Sequence, residues 1–159
     1  MSSTQQPCRK VAILMGSESD RAAMSPAEST LSYFRVPFET FVLSAHRTPE
    51  ATAEFASQAA ERGFAVVIAG AGMAAHLPGV VAAHTTLPVI GVPLDASPLH
   101  GVDALYSMVQ MPKGVPVATV GIDAAANAGI LAVEILATTD EELARALVEF
   151  RRKGSVLPK

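Results

Sequence analysis

The run VAILM (Val11 to Met15) passes directly into GSESD (Gly16 to Asp20). Five successive apolar residues are too few for a helix. A strand wetted on one face would alternate apolar with polar, so the run reads as a short strand covered on both faces. Gly16 stops it. Ser17 and Asp20 then have the S-x-x-D spacing that caps a helix, and Ser25, Pro26 and Glu28 repeat the signal with proline at a first helical position. The helix is therefore expected to kink or restart there. A buried strand turning through glycine into a helix is the building unit of a parallel α/β sheet.

The unit recurs along the chain. Phe38 to Leu43 reads as a second strand, after which Thr48 as N-cap, with Pro49 and Glu50, opens a helix ending near Gly63. Ala65 to Ala69 is a third buried strand, leading into a glycine-rich turn, Gly70 to Gly72, and an Ala-rich segment reaching His84. Val89 to Val92, bounded by Pro88 and Pro93, is the fourth. A helix over Val102 to Gln110, a short strand around Val115 to Val120 and a helix from Ala124 to Ala137 follow. A last helix to about Lys153 is opened by a Thr139/Glu142 capping box. The pattern predicts one domain over residues 1–159, a three-layer α/β sandwich around a parallel sheet. Residues 1–9 are expected to be a flexible N-terminus and 154–159 a short tail.

Composition narrows the function classes. Half of the 159 residues are hydrophobic and 17% are charged, which supports a substantial core. A formal net charge of -3 supplies no electropositive field for a nucleic-acid backbone, so no nucleic-acid partner is expected. The single cysteine, Cys8, excludes an intrachain disulfide and a cysteine-based metal cluster. The four histidines are dispersed without an H-x-x-x-H pair, so no metal is expected. The first ten residues lack the apolar core of a signal peptide, and no apolar run reaches the ~18 residues of a membrane span. A cytoplasmic protein without a membrane partner follows. G-x-G-x-x-G, the Walker lysine motif and G-x-S-x-G are all absent, which argues against a dinucleotide site, a nucleoside triphosphate site and a serine hydrolase.

In such sheets ligands bind beyond the carboxyl ends of the strands. Three strand ends concentrate Gly, Ser, His and Arg: MGSESD (Met15 to Asp20), SAHRTP (Ser44 to Pro49) and GAGMAAHLPG (Gly70 to Gly79). They are expected to converge on one crevice. In the first, Ser17, Ser19 and the free amides of a helix N-terminus suit a phosphate and Asp20 suits ribose hydroxyls, although Ser17 and Asp20 serve equally as helix caps. In the second, Arg47 can clamp a phosphate and His46 can exchange protons near neutral pH. An adjacent His-Arg pair is often plain surface, and position at the crevice is what favours function. In the third, the glycines admit a flat ligand against the backbone, and His76 is either a ligand contact or the partner of a backbone carbonyl. His84 reads as surface, His100 as a residue that can border the pocket, and Met108 and Met111 as core or subunit contacts.

Taken together, these loops, with PVIGVP (Pro88 to Pro93), GVDALYSMVQMPKGVPVAT (Gly101 to Thr119) and NAGILAVEIL (Asn127 to Leu136), resemble the class I 5-(carboxyamino)imidazole ribonucleotide mutases of bacterial purine biosynthesis. The likeness covers nearly the whole chain. It implies a flavodoxin-like fold, a homo-octamer, no cofactor, and reversible transfer of a carboxylate from the exocyclic nitrogen of an aminoimidazole to a ring carbon. It implies His46 as general acid/base and Ser17, Asp20 and Arg47 as ribonucleotide ligands, with Arg47 nearest the phosphate. The loop from Gly70 to Gly79 closes over the imidazole. Ser19, Ser44, Gly70, Ala71, Gly72, His76 and Leu77 complete the candidate set. The chain departs from the pattern at Met73, where glycine is common, in a shortened segment from Gly121 to Ala126, and in a brief tail. Two competing readings are a class II carboxylase that uses free carbon dioxide and a non-catalytic ribonucleotide-binding module, against which the presence of His46 argues.

Overall fold

A computed structural model describes residues 9–158. Cys8 and the N-terminal stretch 1–8 lie outside the described residues. Five strands form one parallel sheet: β1 (Lys10–Met15), β2 (Phe38–Val42), β3 (Phe64–Gly72), β4 (Val89–Leu94) and β5 (Ala118–Thr119), in the order β2-β1-β3-β4-β5. That is the flavodoxin-like order, with the topological switch between β1 and β3. Four α-helices join successive strands, α1 (Arg21–Tyr33), α2 (Pro49–Gln58), α3 (Leu77–His84) and α4 (Val102–Val109), and two follow the last strand, α5 (Ala125–Ala137) and α6 (Glu141–Arg152).

The apolar run of β1 is divided by the two-residue period of a strand. Val11, Ile13 and Met15 join Val66, Ile68, Ile90 and Val92 in a core beneath α1, α5 and α6. Ala12 and Leu14 join Val67, Ala69 and Ala71 in a second core with Phe55, Val81 and Met108. This is why both phases of β1 are apolar. On the first face Gly129 lets α5 approach α1, because a Cβ there would meet Thr30 Cβ at 2.8 Å.

Several local expectations are corrected. Pro26 does not restart the first helix, since α1 is continuous from Arg21 to Tyr33. The Ser25 hydroxyl donates to Ala22 O at 3.0 Å, the carbonyl that the missing proline N–H leaves unserved. Thr48 occupies the N-cap position of α2 without capping it; its hydroxyl instead accepts from Ser44 N at 2.9 Å. α2 ends at Gln58, and the chain continues to Gly63, whose φ of 84° carries paired turn bonds, Phe64 N to Ala59 O and Gly63 N to Ala60 O. Gly70 to Gly72 is not a turn: β3 runs through it, with Gly70 opposite Met15 and Val92. The strand expected over Val115 to Val120 contracts to Ala118–Thr119. Asp140, not Thr139, caps α6, accepting from Glu142 N and Leu143 N at 3.0 and 3.1 Å. α5 uses its apolar face within the chain, on α1, whereas α4 keeps an exposed stripe of Val102, Tyr106 and Val109.

Candidate active site

The loops after β1, β2 and β3 meet beyond the carboxyl ends of the strands, beside the switch point. They enclose a crevice of about 560 Å³. Ser17, Ser19, Asp20, Ser44, His46, Arg47, Ala71, Gly72, His76 and Leu77 all line it. Gly70 does not. It is buried in β3, and a Cβ there would lie 2.8 Å from Met24 Cε and 3.1 Å from its Cγ, closer still to the sulfur. Its small size serves packing of α1 on the sheet.

Each loop is held by bonds of its own. After β1, Asp20 N donates to Ser17 O at 3.1 Å, closing a single 3-10 turn over Glu18–Asp20, and Ser19 Oγ donates to Ser17 Oγ at 2.9 Å. After β2, Thr48 N and Thr48 Oγ1 both donate to Ser44 O, and Arg47 N donates to Ser44 Oγ at 3.1 Å. Arg47 then crosses to the first loop, donating from Nη2 to Gly16 O at 3.2 Å. His46 Nε2 stands 2.7 Å from His76 Nδ1, with the rings edge to face. One nitrogen of that pair donates and the other accepts, so a hydrogen bond joins the two imidazoles across the crevice. The alternative for His76, a backbone carbonyl partner, is replaced by this contact.

Asp20 is the charged group whose setting differs most from water here. Desolvation raises its carboxyl above the ordinary 3.8, and a backbone hydrogen bond from Ser17 and the charge of Arg47 oppose that rise. The crevice thus presents hydroxyls, one carboxylate, one guanidinium and two imidazoles together with small side chains. That suits an anionic, flat, hydroxylated ligand. Among the described residues no three of His, Cys, Asp and Glu converge as a metal site.

Five lining residues escape sequence reasoning as candidates: Gly16, Ala45, Met73, Ala74 and Ala96. Alanines carry no chemical signal, and Ala96 is identifiable only from its place just past β4. His84 is on the surface as expected. His100 does not border the crevice; its exposed ring lies 3.5 Å from an Asp95 carboxylate oxygen. A separate hollow of about 670 Å³, between the end of α1 and α6, is lined by Tyr33, Arg35, Leu143 and Glu149 among others and contains no histidine.

A family model described as AIR carboxylase matches residues 10–155. The N5-carboxyaminoimidazole ribonucleotide mutase of Aliivibrio fischeri is 53% identical over 146 residues, 91% of each chain. The protein of the same name from Pyrococcus abyssi is 56% identical over 142 residues, covering 89% of this chain and 82% of that one. The crystal structure of Treponema denticola PurE superposes with a TM-score of 0.80 at 28% identity, covering 92% of both chains. With the match running from β1 past α6 and all three crevice loops inside it, the chain belongs to the AIR carboxylase family.

Proposed function

We propose that this protein is an N5-carboxyaminoimidazole ribonucleotide mutase, an isomerase of purine biosynthesis, and that its chemistry runs through His46. Relatives of that name at 53% and 56% identity support the activity. The observation that carries the mechanism is the position of the His46 imidazole, next to the Arg47 guanidinium in the lining of the crevice.

In this reading Arg47 and the amides and hydroxyls of Ser17 and Ser19 receive the phosphate, and Asp20 accepts from the ribose hydroxyls. Ser44, Ala71, Gly72, His76 and Leu77 form the walls around the base. His46 gives a proton to the exocyclic nitrogen, the bond from that nitrogen to the carboxyl carbon breaks, and carbon dioxide leaves with the aminoimidazole still in place. Ring carbon 4 attacks the trapped carbon dioxide, forming the new carbon–carbon bond, and His46 takes back the proton that this carbon carried. Protons and carboxylate balance over the cycle, so no cofactor is called for. Holding both fragments in one pocket replaces a second binding event. Because His46 Nε2 is bonded to His76, a ligand that engages that nitrogen exchanges one hydrogen bond for another.

The same reading makes the protein cytoplasmic and a homo-octamer. Assembly is supported by the apolar stripe Val102, Tyr106 and Val109 along α4 with Leu99 in the turn before it, between 41% and 62% exposed in the single chain. No helix of the described residues is long and apolar enough to cross a membrane.

The test is an absorbance assay free of ATP and metal, with fresh 5-(carboxyamino)imidazole ribonucleotide beside aminoimidazole ribonucleotide plus bicarbonate. Conversion of the first substrate alone is expected. Conversion of the second alone would replace the mutase by a carboxylase, and binding without conversion of either would replace it by a ribonucleotide-binding module.

A further inference from the structure

Met73 is the first residue after β3, at the mouth of the crevice, with φ +55° and 57% of its surface exposed. Both properties are unfavourable in the single chain. A long side chain is held in the left-handed region that favours glycine, and a large apolar group faces water. Nothing nearby in the same chain relieves this by burial.

The flanks of Met73 are fixed. Gly72 is paired with Leu94 and could not gain a Cβ without meeting Ala96 Cβ at 2.5 Å, while Ala75, two residues on, is 1% exposed. His76 N donates to Ala74 O at 2.9 Å, tightening the turn between them. Met73 is therefore an apex between two anchored points, and its backbone angle is set by the path of the chain from β3 to α3. The lining includes no Phe, Tyr or Trp. A flat heterocycle entering the crevice finds alanines, glycine, two histidine rings and Leu77, itself 2% exposed and without surface to spare. The one long, flexible apolar side chain available at the mouth is that of Met73, and a thioether packs well on the face or edge of an aromatic ring.

We propose that Met73 is a substrate-positioning residue that folds over the heterocycle of the bound ribonucleotide and sets its affinity through the base rather than through the phosphate. The inference rests on the mutase reading above. It accounts for an exposed methionine in an unfavourable conformation by a contact with the heterocycle.

The experiment compares wild type with Met73→Gly, Met73→Gln and Met73→Leu by thermal unfolding and by KM and kcat for 5-(carboxyamino)imidazole ribonucleotide. Ribose 5-phosphate, which lacks the heterocycle, serves as a competitive inhibitor. Met73→Gly is expected to unfold at or above the wild-type temperature, because glycine adopts positive φ freely. Met73→Gly and Met73→Gln are expected to raise KM about tenfold, roughly the effect of losing 1.4 kcal/mol, and Met73→Leu to stay within about threefold of wild type. The inhibition constant of ribose 5-phosphate stays within about twofold throughout. Unchanged KM in the glycine and glutamine variants overturns the proposal while the mutase reading stands. So does an equal loss of affinity for ribose 5-phosphate. A wild-type protein that neither converts nor binds the ribonucleotide overturns the mutase reading, and this inference with it.

Discussion

Replacing Gly70 by alanine separates packing from ligand contact at a position where the sequence alone suggests the latter. An ideal Cβ at Gly70 lies 2.8 Å from Met24 Cε, whereas carbon atoms in contact prefer about 3.5–4.0 Å. The overlap is near 1 Å, and Met24 is 0% exposed, so its side chain has no solvent to swing into. Overpacking of this kind costs about 1–3 kcal/mol. With the sulfur closer still, the upper part of that range applies, about 2–3 kcal/mol. At ~2–4 °C per kcal/mol for a domain of this size, Tm should fall by roughly 4–12 °C. The assay is thermal unfolding followed by circular dichroism, with the Met24→Ala single variant and the double variant in the same series. Truncating Met24 removes the clashing atoms, so the double variant should be more stable than the two single effects added together, by about 1 kcal/mol or more. The variant that folds should still bind ribonucleotide, since Gly70 is absent from the crevice lining. A Gly70→Ala protein of unchanged Tm that has lost ribonucleotide binding would refute this reasoning.

His46→Asn is expected to lower kcat by at least about 100-fold while ribonucleotide affinity stays within about tenfold, checked by steady-state kinetics and calorimetry. Asp20→Asn should raise Tm at pH 7, because a carboxyl lifted above its ordinary 3.8 destabilises the fold while ionised. That cost is present above the raised folded value and disappears as pH falls through it, so the gain in Tm should vanish in scans acidified toward 3.8; the same change should weaken ribonucleotide binding about tenfold or more. Asp140→Ala should cost ~1 kcal/mol by freeing the two amides it caps, with kcat and KM unchanged, whereas Thr139→Ala should cost less than half as much in parallel melts.

Much of the fold is legible because strong local signals agree with burial. VAILM cannot be anything but a covered strand, and Thr48-Pro49-Glu50 marks a helix start even though the threonine hydroxyl turns elsewhere. The convergence of MGSESD, SAHRTP and the residues after β3 is equally readable, because strand order and the rule for parallel sheets bring strand ends together. What is not readable depends on long-range contacts. Gly70 to Gly72 has the composition of a turn, and only the neighbouring β1 and β4, with Met24 and Ala96 overhead, makes it strand. Pro26 is tolerated because of the hydroxyl beside it, a compensation that statistics for proline do not contain. The His46–His76 contact joins loops 30 residues apart, and no spacing in the sequence announces it.

The brevity of β5 limits how copies of this molecule can meet. A parallel sheet ends in two rows of backbone groups, each a template on which another chain can add a strand. On the β5 side that template is two residues, Ala118 and Thr119, too short to seed a continuous intermolecular sheet. On the other side β2 carries Glu39, paired with Lys10 of β1, which places charge where a flat apolar ribbon would invite fibrils. Growth by strand addition is therefore disfavoured at both ends. A helical surface, by contrast, fits a partner through side-chain shape and offers no such repeating template.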